Sequence, residues 1–182
     1  ETYELYIQEH AETPGYYRVL NPYGPAFPYY TSGSYDNSTH YMYIDATNPN
    51  QVFIPEFRSG LDFGYGEISV MSTAYYYKEN GNNESAAQYY GELKDGVISF
   101  PVQGMLVSMA NYNGGAYYYS NRNGQFKVVL PNATSQSVKA ESKKAVSKTV
   151  KLREDINTLM PIASINKPTS ENLKQRKSFK RI

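Results

Sequence analysis

The sequence contains no cysteine and no tryptophan, and its only histidines are His10 and His40. Without cysteine there is no disulfide, no thiolate metal site and no thiol nucleophile. Two histidines leave little room for imidazole acid–base chemistry. HExxH, GxSxG and the Walker A loop are all missing. No apolar run reaches the roughly 18 residues that a membrane-spanning helix needs. No leader is visible at Glu1, where the sequence given starts directly in a strand-like segment.

Basic residues are scarce over most of the length. Residues 1–132 hold 6 of the 18 Lys+Arg and 13 of the 17 Asp+Glu, a net charge of −7. Residues 133–182 hold the other 12 basic and 4 acidic residues, a net +8, so the overall +1 hides a strong asymmetry. All 13 glycines and all 20 tyrosines precede Ala133. Such a break in composition divides the chain into a Tyr-rich domain over 1–132 and a basic tail over 133–182.

What is abundant is aromatic: 20 Tyr and 7 Phe in 182 residues. Flat rings pack well on pleated surfaces and favour strands. Thr2–Glu9 alternates, with Tyr3, Leu5 and Ile7 on one face, and reads as a half-buried strand. Tyr16–Leu20 is a second strand, ended by Asn21-Pro22. Residues 22–40 are a long loop. Tyr41–Ile44 and Gln51–Ile54 read as strands around a turn at 45–50. Glu67–Ser72 is another strand, expected to run on through Tyr75-Tyr76-Tyr77, with Asn80–Asn83 as a loop. Residues 89–93 and 97–100 flank Lys94-Asp95-Gly96 as a hairpin, and Met105–Met109 follows. Ala116–Tyr119 and Gln125–Leu130 flank Asn121–Gly124 as a second expected hairpin, and Pro131 closes the domain. Short strands at this spacing predict an all-β fold, an antiparallel β-sandwich or barrel.

In the tail, Val138, Ala145, Thr149, Leu152, Ile156 and Leu159 form a heptad-like stripe compatible with a helix over roughly 138–160, ended by Pro161. Residues 162–182 read as extended. Lys174, Arg176, Lys177, Lys180 and Arg181 give a cationic end suited to an acidic partner or to the acidic domain itself. Nucleic acid is not expected as a partner. The domain is acidic, and the tail has a single aromatic, Phe179, for stacking.

The loop Glu56–Glu67 sets Glu56, Asp62 and Glu67 among aromatics and glycines. A glycosidase needs two carboxylates held about 5–10 Å apart, and loop spacing alone does not fix that distance. The plainer reading is a solvated turn, so no catalytic residue is assigned. Gly64-Tyr65-Gly66 has Ser69 where a third glycine would stand, and it precedes a strand; no nucleotide site is assigned. Asp45, Asn48 and Asn50 do not match a calcium loop and are explained by turn capping, so no metal and no cofactor are assigned. Sequons at Asn37, Asn83 and Asn132 sit in loops or at a strand exit.

The consecutive tyrosines 29–30, 75–77, 89–90 and 117–119 carry the binding expectation, the two triplets above all. Successive strand residues point to opposite faces, so each run turns at least one ring away from the core. Exposed rings stack on sugars or anchor protein partners. Tyr75, Tyr76, Tyr77, Tyr117, Tyr118 and Tyr119, with Glu56, Asp62 and Glu67, form the expected ligand surface.

The phrases Tyr17-Arg18-Val19-Leu20-Asn21-Pro22-Tyr23-Gly24, Tyr43-Ile44-Asp45-Ala46-Thr47-Asn48-Pro49-Asn50-Gln51-Val52-Phe53-Ile54-Pro55 and Gly91-Glu92-Leu93-Lys94-Asp95-Gly96-Val97-Ile98-Ser99-Phe100-Pro101 resemble a β-rich module of secreted proteins and lipoproteins of Bacteroidetes. The resemblance covers most of residues 1–132. It implies export, a setting at the cell surface or outer membrane, and a lipid anchor, if there is one, outside this sequence. It carries no functional residues. The expected role is a non-catalytic binding module for a glycan or a neighbouring surface protein. The alternative is an assembly subunit of an outer-membrane complex docked through its tail.

Overall fold

The computed structural model describes residues 2–131 and 133. The tail helix over 138–160 and the cationic end from Lys174 to Arg181 lie outside the described residues. The described residues form ten strands: β1 (Tyr6–Glu9), β2 (Tyr16–Leu20), β3 (Tyr41–Asp45), β4 (Phe57–Arg58), β5 (Ile68–Ser72), β6 (Glu92–Lys94), β7 (Val97–Phe100), β8 (Met105–Met109), β9 (Tyr117–Tyr119) and β10 (Phe126–Val129). Two short helices, α1 (Thr73–Glu79) and α2 (Asn83–Ala87), sit between β5 and β6. The fold is β-rich and sandwich-like. Three antiparallel sheets run in the orders β1-β2-β3, β10-β7-β6 and β4-β5-β8-β9.

The strand signals translate into period-2 burial. Met42 and Ile44 of β3, and Ile98 and Phe100 of β7, point inward while their neighbours stay half-exposed. The β6–β7 hairpin closes on Asp95 and Gly96 alone, because Lys94 pairs directly with Val97. Both turn residues take positive φ, 51° and 79°, the requirement of a two-residue turn matched to strand twist.

One segment joins the three sheets. Phe53 bridges Asp45 at the end of β3, and Val52 bridges Gly91 beside β6. Ile54 then exchanges hydrogen bonds with Ser72, and Phe57 pairs with Val70 of β5. The stretch 52–58 is therefore a seam, rather than the regular strand expected over Gln51–Ile54. The main core draws on every sheet: Ile7, Val19 and Ile44 from the first, Ile98 and Phe100 from the second, Phe57, Val70 and Met105 from the third. Burying one such side chain contributes about 1.5–3 kcal/mol. The opposite face of the third sheet carries Met71, Leu106 and Tyr117, covered by Tyr75 of α1.

Two expectations are corrected. Tyr75-Tyr76-Tyr77 does not extend β5; it lies in α1. The Ser72 side chain accepts the Tyr75 N–H and caps the helix, and Asn80 closes it before Gly81 at φ +74°. These caps outweigh the strand preference of tyrosine. Asn82 in turn caps α2 by accepting from the Ser85 N–H, so the loop expected at 80–83 is the joint between two helices. The hairpin across Asn121–Gly124 does not form either. β9 pairs with β8, while β10 pairs with β7 in another sheet. Asn121 spends its side chain differently, accepting from the Met105 N–H and donating to the Pro101 and Gly124 carbonyls.

Candidate functional site

The strongest candidate is an apolar groove of about 350 Å³. One wall is the 22–40 loop, which supplies Tyr23, Phe27 and Tyr29. Aromatic packing stiffens this wall: Phe27 meets Tyr3, Tyr23 and Tyr29 edge-on at 5.7, 5.0 and 5.6 Å. Tyr23 also stacks on Phe57 at 6.2 Å, tying the loop to β4. The Tyr3 hydroxyl donates to the Pro22 carbonyl at 3.0 Å and anchors the start of the loop.

The opposite wall is the 59–66 loop, with Ser59, Leu61 and Phe63. The floor is the third sheet, through Ile68, Val70 and Val107. The two walls are laced together where Tyr35 bridges Leu61, and where the Asp36 and Asp62 N–H groups donate to the Gly60 and Ser34 carbonyls. Gly60 is required here. Its φ is +81°, and a Cβ there would stand 2.6 Å from the His40 Nε2. His40 is buried, and its Nε2 lies 3.0 Å from the Ser38 hydroxyl. Ser38 donates to Asp36 through both its N–H and its hydroxyl. These bonds, with His40 nearby, hold the Asp36 carboxyl below its usual range.

At the rim, Tyr29 and Phe63 are 64% and 48% exposed. The exposed Tyr65 and Tyr112 meet edge-on at 5.4 Å, and Tyr112 leans on Tyr118 at 5.9 Å. The Asn113 side chain donates to the Tyr118 hydroxyl at 2.7 Å. Tyr65, Tyr112 and Tyr118 thus form a second aromatic group that joins the 59–66 loop to the loop between β8 and β9, with the Asn113 amide beside it.

The three carboxylates of the 56–67 loop have separate partners. Glu67, just ahead of β5, pairs with Arg58 of β4 at 2.9 Å. Asp62 accepts from the Gly64 N–H at 2.7 Å. Glu56 accepts from the Tyr117 hydroxyl at 2.9 Å. Among the described residues, no group of three or more His, Asp or Glu side chains is placed to hold a metal ion.

The expected tyrosine surface divides in two. Tyr75 and Tyr117 are 6% and 3% exposed and belong to the core beneath α1, so neither ring is open to a ligand. Tyr76, Tyr77 and Tyr119 are half-buried in a ring cluster with Tyr89. Burial first, and then hydroxyl contacts with Tyr89 and Tyr77, push the Tyr119 phenol well above its ordinary range. Tyr118 points to the other face, towards Tyr112. Sequence reasoning therefore named the 56–67 loop with its aromatics, and the Tyr29-Tyr30 run, but did not assign Tyr29, Phe63 or Tyr65 to the ligand surface and missed Tyr112. Phe63 and Tyr65 lay within the named loop and alternate along it, a signal that was present. The consecutive pair Tyr29-Tyr30 marked Tyr29 in the same way as the longer runs; nothing local marks Tyr112.

Comparison with family models, with curated proteins and with solved structures finds no match to this chain.

Proposed function

We propose that the domain is a non-catalytic binding module, exported to the cell surface, that takes a glycan through the groove between the 22–40 and 59–66 loops. The observation that carries this reading is the exposure of Tyr29 and Phe63 on the rim of an apolar groove. Large exposed aromatics beside a concavity offer flat apolar faces to a ligand. A sugar ring presents such a face through its C–H groups and hydroxyls at its edge. Asp62, next to Phe63 in the 59–66 loop, and Ser59 and Ser120 in the groove lining supply polar groups for those hydroxyls. The engagement of Glu56, Asp62 and Glu67 with separate partners supports a binding role over hydrolysis. A neighbouring surface protein anchored by the same rings is the other ligand consistent with the rim.

The test is a glycan array followed by calorimetric titration of any hit, with the wild-type chain and the Tyr29→Ala/Phe63→Ala double variant. Saturable binding that disappears in the folded double variant is the expected result. Unchanged binding in that variant, or wild-type binding to no glycan, would remove the proposal.

The charge split of −7 against +8 favours a second reading, an assembly subunit docked through its basic tail. Truncation after Asn132 would then abolish co-purification with outer-membrane partners and leave the domain folded.

A further inference from the structure

Most tyrosine pairs among the described residues meet edge-on or tilted, with interplanar angles of 36° to 75°. Two are nearly parallel and share one ring. Tyr77 and Tyr89 stack at 5.7 Å and 20°, and Tyr89 and Tyr119 at 6.5 Å and 27°. Tyr77 sits in the last turn of α1, Tyr89 just beyond α2, and Tyr119 at the end of β9. Three elements thus converge on Tyr89, whose N–H is fixed by the Ala86 carbonyl at 3.0 Å. All three rings are half-buried, held by their neighbours yet within reach of solvent.

We propose that Tyr77 and Tyr89 form a site of intramolecular dityrosine cross-linking, with Tyr119 as the reserve partner of Tyr89. Loss of one electron and the hydroxyl proton turns each phenol into a phenoxyl radical with spin density on its ortho carbons. Near-parallel rings let two such carbons meet face to face; edge-on rings do not. A carbon–carbon bond then forms between the ortho positions. The hydrogen on each joined carbon moves to its ring oxygen as aromaticity returns. Two phenols have then lost two electrons and two protons. The oxidant is a haem peroxidase using hydrogen peroxide, and the two electrons and two protons reduce one peroxide to two waters. In a chain without cysteine, this bond supplies the covalent tie between α1 and the segment after α2 that a disulfide cannot.

The experiment treats the dilute full chain with a haem peroxidase and hydrogen peroxide, isolates the monomer, and maps its tryptic peptides. Cleavage at Arg58, Lys78, Lys94 and Arg122 puts Tyr77, Tyr89 and Tyr119 in the peptides 59–78, 79–94 and 95–122. The expected product joins 59–78 to 79–94, two hydrogen atoms lighter than their sum, with fragmentation placing the bond at Tyr77 and Tyr89. Tyr89→Phe keeps the ring packing and should remove most dityrosine fluorescence from the monomer. Tyr112→Phe should leave it unchanged. Tyr77→Phe should redirect the link to 79–94 with 95–122. Dityrosine confined to dimers, links scattered over many peptides, or an undiminished monomer signal in Tyr89→Phe would each overturn the proposal.

Discussion

The Tyr117 hydroxyl donates to the Glu56 carboxylate at 2.9 Å, tying β9 to the seam just ahead of β4. The ring beneath that hydroxyl is 3% exposed and packs with Met71, Leu106 and Tyr75. Hydrogen bonds to charged groups contribute about 1.5–3 kcal/mol. Tyr117→Phe keeps the packing and removes the bond, so urea denaturation should show a loss of about 1.5–3 kcal/mol on the same scale. Glu56→Gln keeps an acceptor and should cost less. Equal losses from the two variants would show that the carboxylate charge, rather than the phenol, carries the contact.

Ser72 is the sharper structural test. Its side chain accepts from the Ile54 and Tyr75 N–H groups, and its backbone N–H donates to the Ile54 carbonyl. It is fully buried, so Ser72→Ala leaves two donors without that oxygen. An N-cap loss costs about 0.5–2 kcal/mol, and a buried unsatisfied donor about 1–3. The expected loss is about 2–4 kcal/mol, with weaker helical circular dichroism, since both terms act on one residue.

Two glycines with similar backbones separate strain from crowding. Gly60 and Gly64 have φ of +81° and +94°, but a Cβ on Gly64 meets nothing within 4 Å, whereas one on Gly60 strikes His40 and Tyr35. Gly64→Ala should cost about 1 kcal/mol from backbone strain alone. Gly60→Ala should cost about 3 kcal/mol or more, because buried rings must also shift. Chemical denaturation of the two variants side by side tests the difference. Because Gly60 joins the groove walls, its variant should also weaken any ligand of the groove.

Alkaline pH should unfold the domain through its buried phenols. Burial pushes Tyr3 up to about 12, and burial with the nearby Glu9 carboxylate pushes Tyr17 up to about 12. Tyr16 and Tyr23 are raised too, chiefly by burial. The folded state then holds protons that the unfolded chain releases near pH 10. The stabilisation is complete below about pH 10 and disappears as pH climbs towards about 12. Tyrosinate absorbance and circular dichroism should change together over that window. Full tyrosine titration with the fold intact would contradict the assignment of these rings to the interior.

Much of the strand content was legible because period-2 burial is a local property. β2, β3 and β7 each present alternating residues to the core. The hairpin at Lys94-Asp95-Gly96 was legible from its glycine, but its loop is one residue shorter than expected, because Lys94 belongs to β6 and only Asp95 and Gly96 turn. Tyr75–Tyr77 was misread because ring propensity was weighed without Ser72 ahead of it and Asn80-Gly81 behind. Read as caps, those residues frame a short helix. The partners of β9 and β10 were not legible, since the pairing is set by sheet closure around Phe100 and Met105 rather than by the 121–124 turn. The same limit hid the groove. One wall, the 56–67 loop, was named from its aromatics and carboxylates, but the other read only as a long loop, and their meeting depends on Tyr35 reaching Leu61.

The seam at 52–58 also sets a timetable for folding. Val52 waits for Gly91, and the sheet containing Phe57 waits for β8 and β9. The β1–β2–β3 meander can assemble from nearby sequence, but its apolar face stays bare until the later strands arrive. Distant pairings of this kind slow folding, because loop closure precedes the contacts that reward it. Release of the nascent chain before β8 would leave Ile44 and Ile54 facing water, an early intermediate that a holdase chaperone would have reason to shelter.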